Sequence, residues 1–183
     1  MQGWLRMGRA RPWLALLIVA ILMCSIQSGH AAEPLPAPRG EVLLTVGGEI
    51  GRGNAQDASG RLEARLDRAM LEQLGLTEVN TATPWHSGTM RFEGVLLRAV
   101  LGLVEARGSN LLATAHNEYS ATLPVSDAAR YNVILAMKLN GETMTLRDKG
   151  PLFIIYPFDS EKALQNDMTY IRSVWQLRHI DVR

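Results

Sequence analysis

Apolar and polar positions form their clearest pattern between residues 131 and 157. Two apolar runs, residues 133–137 and 152–156, are rich in the β-branched and bulky side chains that suit a pleated, largely buried surface. Between them lies Asn140-Gly141, the dipeptide that favours a two-residue type I′ turn because both residues tolerate a positive φ angle. The pattern predicts a strand, a hairpin turn, a second strand, a charged loop and a further buried strand.

The remaining elements predicted from the pattern are short and of both kinds. Apolar residues at helical spacing predict helices over residues 61–74 and 95–106. Alternating or β-branched segments predict strands at residues 42–46, 77–83, 110–115, 119–123 and 174–182. Residues 51–60 are predicted as a glycine-rich loop, and residues 124–127 and 160–165 as short helical turns. This mixture predicts an α+β domain with a mixed, partly barrel-like sheet and a few helices.

The first 31 residues have the pattern of a secretory signal peptide. Three arginines precede an apolar run at residues 13–23, and small residues at Gly29 and Ala31 favour cleavage after Ala31. The run is short for a membrane span, although a retained N-terminal anchor is the alternative. We therefore expect a periplasmic protein with no stable membrane span after cleavage. Residues 32–41 are expected to form a loosely attached Pro-rich leader, and residues 42–183 a single domain.

Removing this segment changes the charge of the chain. The full sequence has 19 basic and 18 acidic residues, but three arginines and no acidic residue lie in the first 31, which leaves a net charge of −2. Nucleic-acid binding therefore loses its main support. The single cysteine, Cys24, also lies in the predicted signal peptide. The mature domain is expected to have no disulfide, no thiolate nucleophile and no thiolate metal ligand.

Three segments resemble a known family when they are taken in order. They are the pattern LAxxLNGExxxxRDKGPLxxxYP at residues 135–157, the run FEGVLL at residues 92–97, and the closing run WQLRHIDV at residues 175–182. Together they are similar to the oxidoreductase molybdopterin-binding domain, the sulfite-oxidase fold, across roughly residues 42–183. The resemblance implies an α+β fold in which a basic loop approaches a pterin cofactor.

The resemblance also implies a metal ligand that this sequence does not supply. In the family, one cysteine thiolate ligates molybdenum just before the segment that corresponds to residues 92–97. The equivalent stretch here, residues 78–85, contains threonines and no cysteine. A neutral hydroxyl is a poor substitute for a soft thiolate. Lys149 and Phe153 also replace the histidine and arginine that the family often carries in its basic loop.

Seven residues are candidates for contact with a cofactor or another ligand. Arg147 and Lys149 would contact an anion, unless their loop is merely a solvated turn with a local ion pair. The turn after residue 115 and the turn after residue 83 would line the same cleft, and their candidates are His116, Asn117, Tyr119, Trp85 and His86. No histidine spacing typical of a metal site occurs, and no catalytic residue is predicted.

These observations predict a non-catalytic ligand-binding or interaction module. Its partner would be a small anionic ligand or a pterin, with a membrane-bound sensor or redox protein nearby, and molybdopterin is the cofactor that the resemblance implies. The alternative is a periplasmic molybdopterin-dependent oxidoreductase that holds its cofactor through pterin and phosphate contacts only. A third interpretation is a purely structural partner protein.

Overall fold

The strands of the domain divide between two sheets, as seen in a computed structural model that describes residues 33–183. The strands are β1 Val42–Gly48, β2 Ala55–Gln56, β3 Leu62–Asp67, β4 Leu76–Ala82, β5 Thr89–Leu96, β6 Asn110–Ala115, β7 Ser120–Pro124, β8 Ile134–Leu139, β9 Glu142–Thr143, β10 Phe153–Ile155 and β11 Leu177–Val182. The helices are α1 Arg68–Glu72, α2 Leu97–Leu103, α3 Val125–Arg130 and α4 Asp167–Arg172. Single 3-10 turns lie at Leu146–Asp148 and Lys162–Leu164.

The larger sheet contains six strands in the order β2-β3-β1-β11-β6-β7. Its centre is a parallel pair, β1 with β11, in which Thr45 lies opposite His179. The other neighbours in this sheet are antiparallel. The sheet is therefore mixed, and with the short helices it confirms the α+β class predicted from the sequence.

The smaller sheet follows the order β10-β8-β5-β4, with β9 added beside β8. The predicted hairpin is confirmed, since Asn140 and Gly141 connect β8 to β9 with φ angles of 52° and 91°. Gly94 permits the close approach of β5 to β8, because a β-carbon there would collide with the carbonyl oxygen of Leu135. Close packing of β5 against β8 therefore explains why a glycine stands at position 94 in the run FEGVLL.

The main core contains residues from both sheets. Leu44 and Ile180 of the six-stranded sheet and Leu135 and Ile154 of the five-stranded sheet are completely buried in one cluster. A second cluster, around Phe92, lies among buried residues of the five-stranded sheet. Both clusters have partly buried side chains packed against them. Burial on two faces explains why β8 and β10 are almost continuously apolar.

The predicted helix over residues 61–74 is wrong in its first half. Residues 62–67 form strand β3, with Ala64 and Leu66 buried and Arg65 exposed, and helix α1 begins only after Asp67. Apolar residues four positions apart fit one face of a helix, but four is also a multiple of the strand period. The Asp67 side chain accepts a hydrogen bond from the Met70 amide and caps the short helix.

The predicted helix over residues 95–106, the predicted loop over residues 51–60 and the predicted leader also need correction, and one helix was not predicted. The helix predicted over residues 95–106 is shorter, because residues 89–96 form β5 first. Helix α4 was not predicted, and the loop predicted over residues 51–60 contains the short strand β2. The leader is attached rather than loose, since Leu35 is buried and its amide donates to the Gly53 carbonyl at 3.0 Å.

The signal peptide predicted at residues 1–31 lies outside the described residues. Within residues 33–183, which belong to one compact unit, no helix is long and apolar enough to cross a membrane.

Candidate functional site

The turn between β4 and β5 positions two of the predicted residues. The Thr83 hydroxyl lies 2.8 Å from Nδ1 of His86 and accepts a hydrogen bond from the Trp85 amide at 3.3 Å. These bonds close a tight turn that directs Trp85 into an aromatic cluster. The Trp85 ring centroid is 5.3 Å from that of Phe153 and 5.7 Å from that of Trp175. Trp85 thereby contacts both core clusters.

An aromatic cleft of about 310 Å³ opens beside Trp85. Its lining residues are all uncharged, and they are Trp85, Asn117, Tyr119, Tyr170, Ile171, Ser173 and Trp175. Rings meet at its wall edge to face, with Trp85 and Tyr170 at 6.1 Å between centroids. Such tilted contacts are the favoured geometry of aromatic pairs and make the wall rigid.

The β6–β7 turn sends neighbouring residues in different directions. Asn117 and Tyr119 line the aromatic cleft. The Asn117 side-chain oxygen accepts from the Tyr119 amide at 3.1 Å, and the Tyr119 hydroxyl donates to the Ile171 carbonyl at 3.0 Å. His116 instead is exposed and lines a separate hollow. The turn therefore joins the cleft to helix α4 through Tyr119.

The charged loop after β9 contacts the segment that carries Trp175 and contributes no residue to the lining of the cleft. Lys149 has a left-handed backbone, with φ 68°, and its carbonyl accepts from the Gln176 amide at 2.9 Å. Its ammonium is 5.7 Å from the centroid of the Trp175 ring. Arg147 is exposed, and Asp148 accepts a hydrogen bond from the Thr145 hydroxyl at 2.7 Å. Among the described residues the loop has no ion pair, so the local ion pair predicted there is absent.

Lys149 also influences His86. Burial of the imidazole, and then the nearby positive charge of Lys149, lower the pKa of His86 below its ordinary value. A lowered pKa keeps the ring neutral at neutral pH. His86 can therefore exchange one hydrogen bond with Thr83 while adding no charge to the site.

Helix α4, which carries part of the cleft wall, is tied to the core by a polar triad. The Asp127 carboxylate accepts from the Tyr156 hydroxyl at 2.8 Å and from Nη1 of Arg172 at 3.1 Å. Burial, and then the neighbouring Asp127, raise the pKa of Tyr156, so its hydroxyl remains a donor. The triad fixes Tyr170 and Ile171 at the cleft.

A second hollow, the charged groove, has a volume of about 740 Å³. Its lining includes Arg39, Asp67, Arg68, Glu72, His116 and Leu146. The Asp67 carboxylate accepts from the amides of Arg39, Gly40 and Met70 at 2.6–2.9 Å. These backbone bonds, that of Met70 first, lower the pKa of Asp67. Arg68 lies 3.7 Å from Glu72, so much of the groove's charge is already paired.

The side chains near the end of β4 do not form a molybdenum site of the family type. The buried hydroxyl of Thr81 accepts from the Asp159 amide at 3.0 Å and donates to the Ala82 carbonyl at 3.2 Å. The Thr83 hydroxyl is likewise engaged. Residues 33–183 contain no cysteine, and they hold no group of three acidic, histidine or cysteine side chains that could bind a metal. The soft anionic donor that the metal would need is not supplied here.

The described residues form an α+β domain with an aromatic cleft, and comparison with known proteins gives its family. The sequence pattern of the oxidoreductase molybdopterin binding domain matches residues 64–159. The chain belongs to that family, which confirms the resemblance stated above. No match is found among curated proteins.

A likeness to one solved structure supports the same fold. The chain is similar to the sulfane dehydrogenase SoxCD from Paracoccus pantotrophus, at 14% sequence identity and a TM-score of 0.55. The match covers 81% of this chain and 39% of that one. At this identity the likeness concerns the fold alone, and this chain corresponds to well under half of the larger protein.

The structure brings most of the predicted residues to one region. Trp85, Asn117 and Tyr119 line the aromatic cleft, and Lys149 lies near its Trp175 ring, with His86 close enough to feel the charge of Lys149. Arg147 and His116 face elsewhere. The sequence reasoning missed Tyr170, Ile171 and Ser173, which come from or follow helix α4. The apolar residues Met168 and Ile171 of that helix are exposed, so no buried stripe marks it in the sequence.

Proposed function

We propose that this chain is a non-catalytic, ligand-binding member of the molybdopterin-binding-domain family, exported to the periplasm. The ligand would bind in the aromatic cleft. The domain would keep the scaffold of its family without the metal chemistry, which requires a thiolate ligand in the family.

The observation that carries the proposal is the state of Thr81 and Thr83. Both hydroxyls lie in the segment where the family resemblance implies the cysteine, and both are buried. Each is held by two hydrogen bonds within the protein. Releasing either one would leave buried polar groups unpaired, at a cost of about 1–3 kcal/mol for each group. The hydroxyls of Thr81 and Thr83 therefore stabilise the fold at the end of β4 and are not free to bind a metal.

Metal and pterin content tests the proposal. The protein is purified from the periplasm of its native host, molybdenum is measured by mass spectrometry, and released pterin is measured by fluorescence. We expect far less than one molybdenum atom per chain. Stoichiometric molybdenum, lost when the protein is made in a cofactor-deficient host, would overturn the proposal in favour of an oxidoreductase.

Export is tested separately on the same material. N-terminal sequencing of the periplasmic protein should begin at Ala32, if the signal peptide is cleaved as predicted. Retention of the full sequence in the membrane fraction would contradict export as a free protein and would support the alternative of a retained anchor.

A further inference from the structure

We infer that the aromatic cleft binds an uncharged, flat aromatic compound that carries hydrogen-bond acceptors. This inference rests on the proposed ligand-binding function and names the chemical class of the ligand. It differs from the small anion expected from the charged loop, because no residue of that loop lines the cleft.

The absence of charge on the lining carries the first step. Every residue that lines the cleft is uncharged. Lys149, whose ammonium is 5.7 Å from the centroid of the Trp175 ring, does not belong to the lining, and His86 is kept neutral by burial and by Lys149. An anion in the cleft would lose its hydration and gain no ion pair from the lining, which disfavours binding. A neutral ligand avoids this cost.

The hydrogen-bonding groups carry the second step. Within the described part of the chain, the indole N–H groups of Trp85 and Trp175 and the hydroxyl of Tyr170 have no hydrogen-bond partner, nor has the side-chain amide nitrogen of Asn117. By contrast, the hydroxyls of Tyr119 and Ser173 already donate to backbone carbonyls. The lining therefore offers several free donors, and two of them, the indole N–H groups, cannot also act as acceptors. Because indole is only a donor, the complementary ligand must supply acceptor atoms.

Size and wall chemistry carry the third step. A volume of about 310 Å³ is at the lower end of the range of small-molecule pockets. Four aromatic rings form the wall, and they favour stacked or edge-on contacts with a flat partner. One or two fused rings suit such a space.

Calorimetric titration of the periplasmic protein with three bicyclic probes tests the inference. Coumarin is neutral and has carbonyl and ring-oxygen acceptors, coumarin-3-carboxylate adds a negative charge, and naphthalene has the flat shape alone. We expect coumarin to bind about tenfold more tightly than either of the other two, because each lacks one feature that the cleft demands. Tighter binding of the carboxylate, or no binding of any probe, would overturn the inference.

A matched pair of variants locates the binding. Tyr170→Phe removes a hydroxyl that belongs to the cleft, whereas Tyr131→Phe removes one from another half-buried tyrosine outside it. We expect Tyr170→Phe to weaken coumarin binding about fivefold, with naphthalene binding unchanged, and Tyr131→Phe to change neither. Equal weakening by both variants would contradict binding in the cleft.

Tryptophan fluorescence gives an independent readout. Trp85 and Trp175 are the two tryptophans of residues 33–183, and both line the cleft. Coumarin bound in the cleft should quench the emission of both tryptophans, with the same dissociation constant as calorimetry gives. Quenching that does not saturate would contradict binding at this site.

Failure of this inference is distinguishable from failure of the proposed function. Preferred binding of the carboxylate would refute only the ligand class, whereas stoichiometric molybdenum would refute the non-catalytic role.

Discussion

The two hollows of this domain differ in a way that their sizes do not predict. The charged groove is more than twice as large as the aromatic cleft, and it contains acidic and basic side chains. Its best placed carboxylate, Asp67, is nevertheless fully occupied by backbone amides that hold the leader and helix α1. The cleft has no charge, yet several of its donors have no partner within residues 33–183.

The difference teaches that unmet hydrogen bonding is a better guide to a ligand site than charge or volume. Among residues 33–183 the one buried side-chain polar atom without a partner is Nε of Arg172, so the unpaired donors of the cleft are open to water rather than buried. A ligand with acceptor atoms could replace that water without breaking a bond within the protein. In the groove, polarity stabilises the fold. In the cleft, the unpaired hydrogen-bond donors remain available to water or to a ligand.

The largest expected effect separates the cleft from the groove through the polar triad. In Asp127→Ala, the Tyr156 hydroxyl and the Arg172 guanidinium lose their common partner in a largely buried place. We expect the free energy of unfolding to fall by about 3 kcal/mol. Coumarin binding should also be lost, because the triad holds helix α4 at the cleft. Urea denaturation and calorimetric titration measure the two effects.

Tyr156→Phe is the control for this variant. It removes one hydroxyl and leaves the ion pair of Asp127 with Arg172, so the loss should be about 1 kcal/mol, with coumarin binding retained. If the two variants are equally destabilised, the triad does not anchor the helix as described.

A smaller effect should be confined to the groove. Asp67→Ala removes the cap of helix α1 and the anchor of the leader, and we expect a loss of about 1–2 kcal/mol without a change in coumarin affinity. The pKa of Asp67 is lowered in the folded state, so its contribution is present above the unfolded pKa of about 3.9 and is lost as the pH falls through the folded pKa. Thermal unfolding from pH 7 down to pH 2 should show the two proteins converging at low pH.

Arg68→Ala provides the comparison for Asp67→Ala. The charged groups of Arg68 and Glu72 are half-exposed and lie 3.7 Å apart, so loss of the pair should cost less than about 0.5 kcal/mol. Weaker coumarin binding in either variant would show that the charged groove and the aromatic cleft are coupled, and would contradict their independence.

A third test concerns Lys149, the lysine next to the Trp175 ring. Lys149→Gly and Lys149→Ala both remove the ammonium, but only glycine adopts the positive φ angle without strain. We expect the glycine variant to be more stable than the alanine variant by about 1 kcal/mol in urea denaturation. Coumarin should bind equally to both and to the unchanged protein. A marked loss of coumarin affinity in both variants would show that the Lys149 ammonium belongs to the binding site, which would contradict the separation of the charged loop from the cleft.

The smallest effect is a shift in one titration. Because Lys149 helps to lower the pKa of His86, Lys149→Ala should raise that pKa, although burial should keep it below the ordinary value. NMR titration of the imidazole measures the shift, and Arg147→Ala in the same loop should cause none. Since the folded pKa is the lower one, protonation of His86 destabilises the fold as the pH falls below about 6.5. Lys149→Ala should narrow the pH range over which stability is lost, because the folded pKa of His86 moves closer to the unfolded one. An unchanged titration of His86 would contradict its proximity to Lys149.

Local signals predicted much of the fold. The hairpin at Asn140 and Gly141 follows from backbone preferences of two adjacent residues, and the fully apolar strand β10 follows from burial on both faces. Strand β3 was mistaken for helix because Leu62 and Leu66 satisfy both periods at once. Pattern alone cannot separate them, whereas pairing of β3 with β1 decides the outcome.

The cleft was predictable only in part. Trp85 and Tyr119 stand out as large residues beside turns, so local reasoning found them. Tyr170 and Ile171 reach the cleft because the Tyr119 hydroxyl bonds to a carbonyl 52 residues away and because Arg172 bonds to Asp127. Contacts of that range leave no trace in a window of neighbouring residues. The charged loop, by contrast, is conspicuous by composition, yet none of its residues lines the cleft.

The parallel pairing of β1 with β11 has a consequence for the order in which the molecule is completed. The first strand of the described chain, Val42–Gly48, and the last, Leu177–Val182, are neighbours at the centre of the six-stranded sheet. Two segments that are far apart in the sequence must meet before this sheet can close, and joining such distant segments slows folding. Without β11, strands β1 and β6 would lose the neighbour that they share, so we expect pairing of β11 to be the step that completes the six-stranded sheet.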